Sequence, residues 1–362
     1  MNRTLSRPEL IAWARLARTP RVGALTFHRL IARFSTPAAA LEALPRLGEL
    51  QPPPVSAIEA ELEALDKIGA RLLASCEPDY PRLLAALDAP PPILALRGEV
   101  KLLARPAIAM VGAREGSAGA LVFAERLAGN LGKAGFVIVS GLARGVDGAA
   151  HRGSLPTGSI AVLAGGVDQP YPPQHAKLYD ELCARGAVVS EAPFGAVARA
   201  RDFPRRNTII SGLSRGVVVI EAALRSGSLI TARAAAEQGR DVMAAPGSPL
   251  DPRAHGSNAL IKQGAALIEN AEDVIAALGD GAAPLRPHAI GPLFAETPQA
   301  PPGLPKKIAA LLSPTPVHVN DLARLTDSSI GAVSAALVEL ELEGRAASLP
   351  GGYAALARAA FS

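Results

Sequence analysis

Cysteine is nearly absent: the 362-residue chain has two, Cys76 and Cys183. They lack Cys-x-x-Cys spacing and a nearby histidine, which excludes a disulfide scaffold and a thiolate metal site. The pattern is that of thiols in a reducing cytoplasm. Long apolar runs are also missing. No stretch approaches the roughly 18 apolar residues of a membrane span. Residues Met1 to Val22 carry Arg3, Arg7, Arg15, Arg18 and Arg21 without an unbroken apolar core, a poor secretory signal. Charge is sparse, with 19% charged against 49% hydrophobic residues, the balance of a soluble globular protein.

What charge there is sits unevenly. Residues 1–100 hold 12 Lys/Arg against 11 Asp/Glu, residues 101–270 hold 19 against 13, and residues 271–362 hold 6 against 9. The basic excess lies wholly in the middle, where a polyanion would bind.

Periodicity divides the chain into a helical domain at 1–75, an α/β domain at 76–279, a Pro-rich linker at 280–304 and a last domain at 305–362. The first has amphipathic pieces from Leu10 to Leu16, Val22 to Phe34 and Ile58 to Leu73, of the helix-hairpin-helix or SAM-like sort. Tyr80-Pro81 and Pro90-Pro91-Pro92 predict an irregular, extended connection. Strands follow at Ala107–Val111, Phe136–Ser140, Ile160–Ala164, Ala187–Ser190, Val217–Glu221, Val242–Ala245 and near Ala265–Ile268. Helices between them fit Ala118–Lys133, Gly145–Gly153, Pro173–Arg185, Leu229–Gln238 and Asn258–Lys262. The alternation predicts an extended Rossmann-like, mostly parallel sheet with ligands at its carboxyl edge. After the linker, three helices and a glycine-tipped turn at Pro350-Gly351-Gly352-Tyr353 resemble a winged helix. Its long helix carries Glu339, Glu341 and Glu343, so phosphate would repel it, and a protein-contact or regulatory role is expected.

Four strand ends offer anion-ready turns. Gly112-Ala113-Arg114-Glu115-Gly116-Ser117 combines a close-approach glycine, a cation and a helix start. It lacks the spacing of a Walker A or dinucleotide loop. Ser140-Gly141-Leu142-Ala143-Arg144-Gly145 is the second. Beyond it, Asp147 and His151 share a helix face, as a metal or acid–base pair or as a simple cap. Ser226-Gly227-Ser228 opens a helix, and Ala245-Pro246-Gly247-Ser248 closes the next strand. Between the second and third of these turns lies Phe203-Pro204-Arg205-Arg206-Asn207, preceded by Arg199, Arg201 and Asp202. It gathers planar guanidinium forks, an amide and a ring on which a base could stack. Together these turns predict one extended phosphate-binding rim.

These motifs, with Leu229-Ile230-Thr231-Ala232, Pro246-Gly247 and Gly256-Ser257-Asn258, occur in the order seen in the DprA/Smf family, which the chain resembles closely over residues 78–270. The resemblance implies a cytoplasmic, non-enzymatic, homodimeric protein with no cofactor. Such a protein binds single-stranded DNA and loads the RecA recombinase during natural transformation. Transferred by motif, the DNA groove would include Arg114, Ser140, Gly141, Arg144, Arg199, Arg201, Phe203, Arg205, Arg206, Asn207, Ser226, Gly227 and Ser228. The family's usual lysine three residues before the aromatic is Ala200 here, between Arg199 and Arg201. Its Gly-Ser-Arg is Gly112-Ala113-Arg114. The rival is a nucleotide-processing enzyme of the phosphoribohydrolase type, for which Gly165-Gly166 and Glu191 or Glu221 are the features to weigh. A third reading is a scaffold whose rim only senses a nucleotide.

Overall fold

Nine strands in the order β1-β2-β6-β5-β4-β3-β7-β8-β9 form the central sheet. The computed structural model describes residues 3–47, 50–279, 301, 303–313, 316–349 and 352–357, so most of the expected linker at 280–304 and the Pro350-Gly351 turn lie outside the described residues. Internal contacts divide the chain into two units, Met1–Thr4 with Glu59–Arg286, and Leu5–Ile58 with Pro287–Ser362.

The chain opens with α1 (Arg7–Ala17), α2 (Ala24–Phe34), α3 (Pro37–Leu47) and α4 (Val55–Lys67). The helix expected to run to Leu73 stops at Lys67, and Gly69 follows in the left-handed region at φ +68°. There the chain becomes β1 (Ala70–Ala74), antiparallel to β2 (Ile93–Gly98). Sheet pairing overrides the helical spacing of these residues. The segment between them, expected to be irregular, contains α5 (Arg82–Ala85), and Tyr80 is buried with its hydroxyl donating to the Pro91 carbonyl at 2.7 Å.

The remaining elements of this unit are β3 (Ala107–Gly112), α6 (Ala118–Lys133), β4 (Val137–Ser140), α7 (Val146–Ser154), β5 (Ser159–Val162), α8 (Ala176–Arg185), β6 (Ala187–Ser190), α9 (Asp202–Gly212), β7 (Gly216–Ile220), α10 (Gly227–Glu237), β8 (Asp241–Ala244), α11 (His255–Lys262), β9 (Ala266–Leu267) and α12 (Ala271–Ala277). Strands β3 to β9 are parallel to their neighbours, and only the β1–β2–β6 edge runs antiparallel. Because apolar strands have two buried faces, alternate residues fill two cores. Ala109, Val139 and Val217 meet Ile209 and Ala232, while Ile108, Ile138 and Val218 meet Leu127 and Ala149. The order steps outward from β3 to β6, then returns to place β7 on the other side of β3. That reversal opens the crevice where doubly wound sheets hold ligands.

The arginine-rich stretch is itself a helix, α9, with Pro204 in its first turn, where proline costs no hydrogen bond.

The second unit joins α1–α3 to a winged helix: α13 (Leu304–Leu311), β10 (Val317–His318), α14 (Val319–Thr326), α15 (Ile330–Leu342), β11 (Ala346–Leu349) and β12 (Tyr353–Leu356). Its three-stranded sheet has the order β10-β12-β11, over a core that includes Ile308, Leu322, Val333 and Leu337. The acidic α15 has its partner within this unit. Arg33 pairs with Glu339 at 2.8 Å and Arg29 with Glu341 at 3.3 Å, while Arg21 donates to the Leu342 carbonyl at 2.9 Å.

Candidate nucleic-acid interface

The turns after β3 and β4 are built into one another. Gly145 has φ +75°, and a Cβ there would lie 2.2 Å from the Ala113 carbonyl oxygen, so only glycine fits this crossing. Next to it the Val146 N–H donates to that same carbonyl at 3.1 Å. Asp147 is the clamp of the second turn. Its Oδ2 accepts from the backbone N–H groups of Gly141 at 3.1 Å and Ala143 at 3.3 Å, around Leu142 in the left-handed region. Burial pushes the Asp147 carboxyl up, while the nearby Arg206 charge and those two N–H donors pull it back.

His151 does not meet Asp147 to form an acid–base pair. It is fully buried, with Nδ1 2.8 Å from the Ser159 hydroxyl, and burial drives its pKa down to about 3. Among the described residues no group of three His, Cys, Asp or Glu side chains could hold a metal.

Helix α9 delivers the ring and the guanidinium to this crossing. Arg114 stands 5.5 Å from the Phe203 ring centroid, Arg206 5.6 Å, and the Tyr171 ring 6.1 Å. They line one small recess, open to solvent, with Gly141, Arg144 and Gln169. Arg206 is only 6% exposed. Its Nη1 donates to the Val162 carbonyl at 3.2 Å, and burial lowers its pKa, opposed by Asp147. Arg206 therefore supports the ring and the Gly141 turn from beneath, and Arg114 and Arg144 carry the accessible charge at the mouth.

The other expected site residues fall into two groups. Arg199, Arg201 and Arg205 are exposed at the start of α9. Arg205 donates to Glu191, and Arg201 lies 4.0 Å from Asp202. Arg144 lies 3.6 Å from Glu115. The Arg201–Asp202 and Arg144–Glu115 pairs are solvated, and phosphate could replace them at little cost, whereas the Glu191 carboxylate bound by Arg205 is mostly buried. Ser140, Asn207 and Ser228 are buried and already engaged. Ser140 donates to the Met110 carbonyl at 2.6 Å, and Asn207 Nδ2 reaches the Gly227 carbonyl at 3.3 Å. The hydroxyls of Ser226 and Ser228 bond each other at 2.7 Å, while Gly227 faces open space at the tip of α10.

The rim is not uniform. The fourth turn lines a second, solvent-open recess with Ser117, Glu221 and Asp251. Glu221, at φ +50°, accepts the Ser117 N–H at 2.6 Å and so fills the anion position at the start of α6 with a protein carboxylate. Arg253 stands 3.9 Å from Glu221 and 2.7 Å from Asp251. Two carboxylates against one guanidinium leave this recess acidic, so the extended phosphate rim expected from the four turns is interrupted here.

Sequence reasoning passes over Tyr171 and Gln169. Its one available signal is a tyrosine between a strand end and a helix start, close behind Gly165-Gly166.

Fold and site define a Rossmann-like protein with a cationic, aromatic-lined carboxyl edge, carried with helical and winged-helix modules. Comparison with known proteins places it more closely. The family model for DNA recombination-mediator protein A matches residues 71–279, that for the DprA winged helix domain 292–352, and that for the DprA-like N-terminal HHH domain 7–64. Protein Smf of Escherichia coli is 40% identical over 314 residues, spanning 84% of this chain and 83% of that one. The X-ray structure of DNA processing protein A from Streptococcus pneumoniae superposes with TM-score 0.62 at 32% identity, covering 76% of this chain and 98% of that one. DNA processing protein A of Helicobacter pylori, whose structure is described for its single-stranded DNA binding mode, superposes with TM-score 0.53 at 30% identity over 58% and 95%. The chain belongs to the DprA/Smf family of DNA processing proteins. Among the described residues no helix is long and apolar enough to cross a membrane.

Proposed function

We propose that this protein binds single-stranded DNA along the carboxyl edge of its sheet and passes it to the RecA recombinase during DNA uptake. It acts without catalysis, as a cytoplasmic homodimer. The observation that carries this reading is the convergence of Arg114, Arg206 and Tyr171 on the Phe203 ring. A ring beside accessible cations suits a strand whose bases are free to stack and whose phosphates need neutralising. The Helicobacter relative's described binding mode and the family description as a recombination mediator support the same reading.

The phosphoribohydrolase reading is weaker. Glu191 is held by Arg205, and Glu221 is held by Ser117 and Arg253, so neither carboxylate is free to act as a general base. The acidic recess would also repel a nucleoside monophosphate.

Fluorescence anisotropy with matched single-stranded and duplex oligonucleotides, at two salt concentrations, tests the proposal. Preference for the single strand is expected. Equal affinities at matched salt, or release of free base from nucleoside monophosphates, would overturn it.

A further inference from the structure

Helix α7 carries a glycine at position 148, in its interior, where glycine weakens a helix. The reason lies outside the helix. A Cβ on Gly148 would lie 2.7 Å from His175 Cε1 and 3.0 Å from its Nε2, so the imidazole fills the space a side chain would need. His175 is half-buried and stands at the N-cap of α8, where a polar side chain ordinarily bonds the first turn of its own helix. It makes no such bond. Its Nδ1 lies instead 3.0 Å from the Leu142 carbonyl oxygen, 33 residues earlier in the chain. A carbonyl only accepts, so Nδ1 carries the proton and donates.

Leu142 is the left-handed residue of the turn after β4, with φ +56°. Asp147 holds that turn by the N–H groups of Gly141 and Ala143, and His175 holds it by the carbonyl between them. The two contacts come from different parts of the chain. Asp147 belongs to α7, directly after the turn, whereas His175 ends the segment between β5 and α8. That segment supplies Gln169, Tyr171 and Pro172 to one wall of the cationic recess, and the turn supplies Gly141, Ala143 and Arg144 to another.

We infer that His175 is a positioning residue for strand binding. Its imidazole ties the wall bearing Gln169 and Tyr171 to the wall bearing Gly141 and Arg144, and Gly148 is the gap that admits the ring. The inference rests on the single-strand reading and adds to it a residue that need not touch the strand. Contacts spread over two walls act together only while the walls keep their spacing. A loosened wall has to be ordered again on binding, and that ordering subtracts from affinity.

The experiment is an anisotropy titration with one single-stranded oligonucleotide at two salt concentrations, below the melting temperature of every variant. It compares the unmodified full chain with His175→Ala, His175→Asn, Gly148→Ala and the double variant of His175→Ala with Gly148→Ala. Asparagine places an amide N–H as many bonds from Cα as Nδ1, so His175→Asn should keep the affinity of the unmodified chain. His175→Ala should lose roughly two- to ten-fold, one hydrogen bond's worth. Its salt slope should not change, because no cation is removed. Gly148→Ala should lose as much by displacing the ring, and the double variant no more than either single one. Full affinity in His175→Ala, an equal loss in His175→Asn, or losses that add in the double variant would overturn the inference while single-strand preference stands. If the unmodified chain binds a matched duplex equally well, the functional reading fails and the inference with it.

Discussion

Gly141 and Arg206 share one space: a Cβ built on the glycine would lie 1.4 Å from Arg206 Nη1 and 2.4 Å from Cζ. The turn after β4 can close over the guanidinium only because residue 141 has no side chain. Gly141→Ala is therefore expected to unseat Arg206, with a loss of about 1–3 kcal/mol typical of overpacking and a parallel fall in oligonucleotide affinity. In an Arg206→Ala background the same change should cost far less. Denaturant unfolding of the two single variants and the double variant measures this coupling.

Arg114 and Arg206 flank the same ring but should fail differently. Arg114 is exposed, so Arg114→Ala should lower the salt dependence of single-strand binding by roughly 0.7 log units per log salt, one phosphate contact, without loss of stability. Arg206 is buried, so Arg206→Ala should destabilise the fold and leave the salt slope nearly unchanged. Phe203→Ala should weaken binding by about 1–3 kcal/mol, the cost of losing one stacked base.

Asp147 holds the backbone donors of the turn after β4. Asp147→Ala strips the Gly141 and Ala143 N–H groups of their acceptor and should destabilise the protein by about 1–3 kcal/mol. A chelator should leave the melting of the unmodified chain unchanged, and a drop in melting temperature with chelator would restore the metal reading.

His151 predicts the acid limb of stability. Its folded pKa is lowered to about 3, below the ordinary 6.5, so the unfolded chain takes up a proton first as pH falls. Stability from keeping this imidazole neutral is fully present above pH 6.5 and is lost progressively as pH drops towards 3, by up to about 1.4 kcal/mol per pH unit. His151→Asn should remove that component, which urea denaturation at pH 7 and pH 5 would detect as a smaller difference between the two.

In the second unit, Arg29 and Arg33 of α2 cover the acid face of α15. A double-mutant cycle on Arg29 and Glu341 should give a coupling of about 0.2–1 kcal/mol that shrinks with added salt, as expected for a partly exposed pair.

Most of the sheet and one long helix were legible in the chain because their patterns are local. The continuous apolar runs mark β3 to β8 to within a residue or two, and α6 spans Ala118–Lys133 as expected from its periodicity. The β1–β2 hairpin was not legible. The residues of β1 carry helical spacing up to Leu73, and β2 follows a Pro-rich run that predicts an irregular connection; pairing of β1 with β2, and of β2 with the distant β6, decides for the sheet. The site was legible in residue type but not in depth. With Phe203 to Asn207 taken as a stretch ahead of a strand, Arg205 and Arg206 look equivalent. On α9 they are one helical step apart, which turns the first to solvent and the second into the core. Glu221 escaped as a plug for α6 because its partner, Ser117, lies 104 residues earlier.

Photo-crosslinking an oligonucleotide substituted throughout with 5-iodouracil, followed by peptide mapping, tests the central claim most directly, because it reports where the strand lies without any variant. The adducts should concentrate on the peptides holding Tyr171 and Phe203. Adducts confined to the winged helix or to the acidic recess around Glu221 would contradict the account.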